Sequence, residues 1–409
     1  MGKIRETWQP GYAAMLIDVF HFAREAEVAG FTISALEEGT RRSFGNDMDA
    51  WYEWLWAQPY RPHPDYAEFM HRLYRNLDPR FAAYFANDRA ATIRLDEVRW
   101  GGVLQDGIPP LRGPKMISAA EADYLGDDNV VFGIAINDDI RAYPKRILAW
   151  HEMFTDVVGG IPLAGVYCTL CGTAILYETT YEGVEHEVGT SGFLYRSNKL
   201  MYDRATQSLW STLWGRPVIG PLVGKGIQLR GRAIVTTTWA EWRRRHPQTL
   251  VLSLDTGHNR DYSEGAAYRE YFSTDRLMFN VPKLDRRLKN KDEVLTLVLD
   301  GDEAEPLAIA AELLAEEPVH HNRIGDLEIV VLTDASGANR VYSTGGVRFS
   351  EWDQDRRVVD AAGDAWTLDE DRLIAEDGRV CHRLPAQRAF WFGWFAAYPQ
   401  TRLVTSLQK

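Results

Sequence analysis

The sequence predicts an α+β protein in which a small helical domain precedes two pseudo-symmetric β-rich lobes. Three observations support this fold class. Helical apolar spacing is confined to the first part of the chain, short apolar strands with turns between them fill the rest, and the order of motifs after about residue 129 is repeated once. Two long copies suit neither a solenoid nor a propeller, so we expect two lobes that arose by internal duplication.

The predicted organisation has five segments. They are a helical N-terminal domain (1–92), an ordered connecting segment (93–128), a first β-rich repeat (129–252), an inter-repeat segment (253–292) and a second β-rich repeat (293–409). In the helical domain we expect helices over residues 12–29, 48–56 and 66–85, with Asp47 as the N-cap of the second.

The two repeats share a succession of strand, turn, helix and strand. The predicted elements are first strands at 130–136 and 294–299, helices at 145–153 and 307–314, and second strands at 163–167 and 327–331. Each repeat then closes on a Trp-x-x-Trp motif followed by Pro-Gln-Thr, at 239–249 and 391–401. Matched order over more than a hundred residues indicates two copies of one module.

Composition restricts the class of partner and the compartment. The formal net charge of −12 argues against nucleic acid or an anionic membrane as the main partner, because both require a basic surface. Residues 1–20 carry no signal-peptide pattern, and no apolar run approaches the roughly 18 to 20 residues of a membrane span. We therefore expect a cytoplasmic protein whose three cysteines are reduced.

The clearest candidate for chemistry is Cys168-Thr-Leu-Cys171, which directly follows the second strand of the first repeat. The second repeat has Thr333 and Ser336 at these places, so the fold does not depend on the sulfurs. Two nearby thiols can bind one ion or form a disulfide. Their alternative role is simply to pack as two small buried side chains.

A metal site would use Cys168 and Cys171 together with His151 from the preceding helix. This set suits copper or zinc, and two thiolates alone or with Met201 favour Cu(I), so copper is the expected cofactor. The alternatives without a metal are that His151 is a hydrogen-bonded residue near the core and that Met201 belongs to the core. No cofactor is expected if the cysteines are a redox pair or merely pack.

Polar residues downstream of the cysteines are candidates for substrate positioning. Asn198, Tyr202 and Asp203 lie among apolar neighbours, so they need buried partners. Asp203 can orient a ligand or act as a base. It can equally stabilise a turn, and Asp360 at the matching place of the second repeat favours that alternative.

At these residues the sequence resembles a bacterial and archaeal family known as domain of unknown function 3179. The matching stretches include 106–109, 141–144, His151-Glu152, 167–174, 197–203 and 260–262, within a region of roughly 93 to 406. Thr155 and Thr169 depart from the family pattern, where asparagine and proline are usual. Many relatives look exported, whereas this chain shows no signal. The resemblance implies no activity.

The functional expectation is a metal-dependent enzyme, namely a copper–thiolate oxidase or oxygenase that acts on a small molecule. Two alternatives from other classes stay open. One is a metal-free dithiol redox protein that cycles a Cys168–Cys171 disulfide, and the other is a non-catalytic module that binds a ligand or partner. Nucleotide and serine-hydrolase chemistry lack support, because no P-loop, Gly-x-Gly-x-x-Gly or Gly-x-Ser-x-Gly motif is present.

Overall fold

The computed structural model describes residues 7–86, 88–299 and 305–405. Helices account for 21% and strands for 33% of the chain, with a small helical region at the N-terminus ahead of a β-rich body. This confirms the predicted α+β class. No helix among the described residues combines the length and the apolar character needed to cross a membrane.

The helices and strands follow the chain in a mixed order. The α-helices are α1 (Tyr12–Phe22), α2 (Ala26–Thr40), α3 (Met48–Ala57), α4 (Tyr66–Tyr74), α5 (Lys145–His151), α6 (Trp239–Arg245), α7 (Arg269–Phe272), α8 (Ala311–Glu316) and α9 (Trp391–Ala397), with 3-10 turns at Pro79–Ala83 and Leu95–Glu97. The first strands are β1 (Val98–Trp100), β2 (Leu111–Arg112), β3 (Met116–Ser118), β4 (Val130–Ile136), β5 (Asp139–Pro144), β6 (Met153–Val158), β7 (Ile161–Cys168), β8 (Thr173–Glu178), β9 (Thr180–Tyr181), β10 (Val184–Glu185), β11 (Val188–Tyr195), β12 (Asn198–Asp203), β13 (Leu209–Ser211), β14 (Arg216–Ile219), β15 (Gly231–Arg232), β16 (Val235–Thr238) and β17 (Leu250–Leu252). The remaining strands are β18 (Glu293–Leu297), β19 (Leu307–Ala310), β20 (Val319–Ile324), β21 (Leu327–Thr333), β22 (Asn339–Ser343), β23 (Phe349–Trp352), β24 (Arg357–Asp360), β25 (Ala365–Leu368), β26 (Arg372–Ala375), β27 (Val380–His382), β28 (Gln387–Phe390) and β29 (Arg402–Val404).

Three predicted helices are wrong in their extent. The helix expected over 66–85 ends at Tyr74, and a separate 3-10 turn follows at Pro79–Ala83. The helix expected over 12–29 is two helices, because Ala23 adopts an extended backbone with ψ 118°. The helix expected over 307–314 begins as strand β19, since its apolar run pairs with β18 and β29 and only Ala311–Glu316 is helical. The predicted cap is confirmed: the Asp47 carboxylate accepts a hydrogen bond from the Ala50 N–H at 3.0 Å.

The chain contacts define two compact units. Unit 1 contains the described residues of Met1–Gly107, Ser191–Ile227 and Phe279–Lys283. Its helices α1–α4 and its antiparallel sheet, in the order β1-β11-β12-β13-β14, share one core in which Tyr74 and Phe193 rings meet edge to face at 4.9 Å. This core explains why residues 191–227, predicted to belong to the first repeat, group with the helices.

Unit 2 contains Ile108–Thr190, Gln228–Met278 and the described residues of Leu284–Lys409. One of its sheets has the order β16-β4-β5-β17-β3 and another the order β28-β18-β19-β29. In each, the second strand pairs antiparallel with both neighbours and the third pairs parallel with the fourth. The predicted duplication would account for this correspondence and itself stays a prediction.

The Trp-x-x-Trp motifs make the same contact in both sheets. The Trp242 indole N–H donates to the Thr249 hydroxyl at 3.0 Å, and the Trp394 indole donates to Thr401 at 2.9 Å. All four side chains are buried. A buried indole N–H needs an acceptor, so the spacing from tryptophan to threonine joins each helix to the strand that follows it.

Candidate functional site

The Cys-x-x-Cys motif forms the tip of the β7–β8 hairpin in unit 2. Cys168, the last residue of β7, pairs with Thr173, the first residue of β8, so the tip is the four-residue loop 169–172. Cys168 and Cys171 form a disulfide across this loop, with their Cα atoms 5.4 Å apart. The sequence predicted two free thiols, but the tight loop brings the residues within the usual disulfide separation.

Three contacts hold the loop without using sulfur. The Thr169 hydroxyl donates to Glu152 Oε1 at 2.8 Å, and the Tyr271 hydroxyl donates to the Leu170 carbonyl at 2.7 Å. The Phe390 N–H donates to the Cys171 carbonyl at 2.7 Å. Thr169, Leu170 and Cys171 are thus each tied to a segment outside the hairpin, and the loop does not depend on its disulfide for anchorage.

Gly172 closes the loop for a steric reason. Its φ of +61° is strained for any residue with a side chain, and a Cβ there would lie 2.9 Å from the Phe390 ring. The ring therefore packs directly against the backbone next to Cys171. The two cysteines are unequal in access, since Cys168 is 5% exposed and Cys171 is fully buried.

Glu152 is a site residue that the sequence analysis did not single out. It follows α5 in a left-handed conformation with φ 55°, and its buried carboxylate accepts hydrogen bonds from Thr169 and, at 3.0 Å, from Tyr268. Burial, and then the nearby carboxylate, raise the pKa of Tyr268, so its hydroxyl stays a donor. The His151-Glu152 stretch was visible in the sequence, but its approach to the loop is a tertiary contact.

His151 is buried and hydrogen-bonded through both ring nitrogens. Nδ1 lies 2.8 Å from the Pro109 carbonyl, and Nε2 lies 2.6 Å from the Tyr262 hydroxyl, which also contacts Thr256 at 2.6 Å. Burial lowers the pKa of His151 to about 4, with nearby His258 adding to the effect. A neutral ring donates from Nδ1 to the carbonyl and accepts at Nε2 from the tyrosine, as its geometry requires.

The structure does not assemble the predicted ligand set of Cys168, Cys171 and His151. Within the described residues, no group of three or more His, Cys, Asp or Glu side chains is arranged to hold a metal ion. The two sulfurs are bonded to each other, and the histidine nitrogens have other partners. Metal binding stays a prediction for the reduced pair.

The predicted substrate-positioning residues lie in unit 1, whereas the cysteines and His151 lie in unit 2. The Tyr202 hydroxyl donates to the Asp106 carboxylate at 2.6 Å. Asn198 follows the β11–β12 turn and donates from Nδ2 to the Arg196 carbonyl at 3.1 Å. All three predicted residues, Asn198, Tyr202 and Asp203, are buried.

Asp203 stabilises a turn. Its carboxylate accepts from the Thr206 N–H at 2.7 Å and from the Thr206 hydroxyl at 2.9 Å. Asp360 does the same at its own turn, where it accepts from the N–H groups of Ala362 and Asp364. These contacts correspond to the alternative that the sequence offered for Asp203. Met201, the optional sulfur ligand, is fully buried in β12 of unit 1.

Comparison with known proteins identifies a family. The family described as protein of unknown function (DUF3179) matches residues 105–401, which is well over half of the chain. The chain belongs to this family. No curated protein and no solved structure matches it.

Several stretches that carry this family resemblance meet around His151 and Glu152. Pro109, from the first stretch, and Tyr262, from the last, are the two hydrogen-bond partners of His151. Thr169, between the cysteines, is a partner of Glu152. The consecutive residues at the end of α5 thus connect the cysteine loop to the segment that carries Tyr262.

Proposed function

We propose that this protein is a thiol–disulfide oxidoreductase whose reacting groups are Cys168 and Cys171. The observation that carries the proposal is their disulfide, which closes a hairpin tip that other contacts already hold in place. Such a bond can open and close while the loop keeps its shape. This is the metal-free redox alternative raised by the sequence.

The small size of the loop argues against a purely structural role. A disulfide that closes a loop of about four residues contributes roughly 2 kcal/mol through chain entropy, less than one that closes a long loop. We place the protein in the cytoplasm as part of the proposal. Disulfides there are usually transient and are catalytic or redox-sensing.

The proposed reaction transfers two electrons and two protons from a small dithiol substrate to the protein. A substrate thiolate attacks Sγ of Cys168, the more exposed of the two residues, and the S–S bond breaks so that Cys171 leaves as a thiolate and takes up a proton. The second substrate thiolate then attacks the substrate sulfur of the mixed disulfide and releases Cys168 as a thiolate, which takes up the second proton. The products are a substrate disulfide and the protein dithiol. Because Cys168 is only 5% exposed, a small molecule suits this path better than a folded protein.

A second candidate function is the copper–thiolate enzyme expected from the sequence. The observation that favours it is the 5.4 Å separation of the two Cα atoms on one hairpin tip, which lets a reduced pair bind one soft ion. In that case Cys168 and Cys171 are the ligands. His151 would have to give up a hydrogen bond to join them.

Redox titration of the full chain in dithiothreitol buffers tests the first proposal. Thiol labelling should show a two-electron transition, in which the ratio of reduced to oxidised protein changes tenfold for about every 30 mV of buffer potential. Cys381→Ser, which removes the buried third cysteine, should keep the transition, and Cys168→Ser/Cys171→Ser should lose it. A pair that never reacts in the folded protein, or a potential below about −300 mV as in structural disulfides, would contradict the proposal.

Copper analysis separates the two candidates. Reduced protein is loaded with Cu(I), passed through a desalting column and measured by elemental analysis, with the double serine variant as the control. Retention of one copper per chain by the wild type alone favours the metal enzyme. Loss of copper from both proteins, together with a reversible redox transition, favours the oxidoreductase. If Cys168→Ser/Cys171→Ser binds a ligand as tightly as the wild type does, the result would point instead to a non-catalytic binding module.

A further inference from the structure

Unit 1 contains a cavity of about 360 Å³ that plays no part in the proposed redox chemistry. It lies beside the first turn of α1, the end of α3 and the loop that follows α3. Its volume falls within the range of about 300 to 1,000 Å³ that is typical of small-molecule sites. Every residue that lines it belongs to unit 1.

The walls of the cavity are apolar and largely aromatic. Trp8, Trp54 and Tyr60 contribute rings, while Ala13 and Ala14 on α1 leave room between them. The Trp8 ring lies so close to α2 that a Cβ at Gly39 would overlap it, so glycine at this position lets the indole form a wall. Flat rings of this kind favour a flat apolar ligand.

Several residues that line the cavity carry hydrogen-bond donors without a partner in the described part of the chain. Among the described residues, no acceptor contacts the indole N–H of Trp8 or Trp54, and no carboxylate pairs with Arg61, which is exposed. The Tyr60 oxygen accepts from the Leu95 N–H at 3.1 Å, and its own proton has no acceptor among the same residues. These donors would be satisfied by a ligand rich in acceptors.

The charged residues that line the cavity also favour an anionic ligand. Asp96 is the only carboxylate among the described residues that line the cavity, and Arg94 pairs with it through two hydrogen bonds of 2.8 and 3.1 Å. Arg94 also donates to the carbonyls of Trp56 and Gln58, so its guanidinium is used within the protein. Of the cations in the described lining, Arg61 is therefore the one that can meet a ligand.

We infer that this cavity binds a small aromatic anion, of which an aromatic carboxylate is the simplest form. The rings enclose the apolar body, and Arg61 with the Tyr60 hydroxyl meets the anionic group. Charge-assisted hydrogen bonds are stronger than neutral ones, so an anion should bind better than its neutral isostere. The inference is independent of the redox proposal, because it uses no residue of the cysteine site.

Isothermal titration calorimetry of the full chain with naphthalene-2-carboxylate and with its neutral amide, naphthalene-2-carboxamide, tests the inference. The carboxylate should bind about fivefold more tightly than the amide, the preference expected for one partly exposed ion pair. Arg61→Gln should remove this preference and leave amide binding unchanged. Arg24→Gln, which changes an exposed arginine outside the cavity, should keep it.

A second variant tests the location of binding. Ala14→Leu adds a larger side chain within the cavity and should abolish binding of both probes, with circular dichroism to check the fold. No heat of binding from the wild type at millimolar probe would overturn the inference. So would equal carboxylate preference in Arg61→Gln and Arg24→Gln, a result that stands even if Ala14→Leu fails to fold.

Discussion

Two hairpin tips in unit 2 are closed by different kinds of interaction. The β7–β8 tip is closed by the Cys168–Cys171 disulfide. The β21–β22 tip is closed by Asp334, whose Oδ1 accepts from the N–H and hydroxyl of Ser336 and from the Ala338 N–H, at 2.6 to 3.1 Å. Across the hairpin, Asn339 Nδ2 donates a hydrogen bond to the hydroxyl of Thr333, the last residue of β21.

The second tip is also joined to a buried ion network. Asp334 pairs with Arg340 at 2.9 Å, and Arg340 pairs with Glu370 at 2.8 Å, with all three side chains buried. One tip is therefore closed by a covalent bond that a reductant can open. The other is closed by the Asp334 carboxylate, whose removal takes one of its two partners from the buried Arg340. The difference explains how the second tip can keep its turn without either sulfur.

The largest expected effect is the loss of the ion network at the second tip. Asp334→Ala removes one partner of buried Arg340 and three hydrogen bonds of the turn, so the free energy of unfolding should fall by about 3–5 kcal/mol. Chemical denaturation measures it. Asp377→Ala is the matched control, because Asp377 holds an exposed turn and its loss should cost under about 1 kcal/mol. Equal losses in the two variants would show that burial at the second tip is energetically unimportant.

Reduction of the first tip should have a smaller effect. Dithiothreitol should lower the free energy of unfolding of the wild type by about 2 kcal/mol, because only a short loop is released in the unfolded chain. Denaturation curves with and without reductant measure this difference, and the Cys168→Ser/Cys171→Ser protein should show none. A loss above about 4 kcal/mol would mean that the disulfide serves mainly to stabilise the fold, in contrast to our proposal.

The smallest expected effect is a loss of stability at low pH that involves the second tip and not the first. Burial alone would raise the pKa of Glu370, but Arg340, with help from His246 and Arg383, outweighs burial and holds this pKa well below its usual range. The unfolded state therefore takes up the proton first. The contribution of Glu370 is complete above the ordinary glutamate pKa of 4.5 and is lost as the pH falls below it, by up to about 1.4 kcal/mol per pH unit.

Between pH 5.5 and 3.5, the free energy of unfolding should thus change less with pH in Glu370→Gln than in the wild type. Cys168→Ser/Cys171→Ser should keep the wild-type slope, because the first tip has no such ion network. A wild-type slope in Glu370→Gln would contradict the assigned role of this carboxylate.

Much of the fold could be predicted because its signals are local. The strand at Val130–Ile136 has the predicted bounds, and Lys145–His151 lies within the predicted helix. Strand β5 (Asp139–Pro144) was not predicted, because the sequence analysis placed a turn at residues 137–139 and no strand between it and the helix. Its polar start resembles a loop, and only its pairing with the apolar β4 and with β17 makes it a strand.

The candidate site was predicted only in part. The sequence placed Cys168 and Cys171 after a strand, which the structure bears out, and it offered turn stabilisation as the alternative for Asp203. Glu152 and Tyr271 were not proposed as parts of the cysteine site. The Tyr271 contact spans 101 residues of sequence, and no local spacing reports a contact of that kind.

By itself the sequence determined the α+β class, the position of the cysteine pair between two strands and the recurrence of Trp-x-x-Trp before Pro-Gln-Thr. These features depend on apolar periodicity and turn residues, which act over a few positions. The tertiary structure alone decided that Glu152, Tyr271 and Phe390 meet at the disulfide loop and that residues 191–227 pack with the N-terminal helices. Both outcomes follow from burial of hydrogen-bonding groups and apolar surface between distant segments, which is settled only when the whole chain packs.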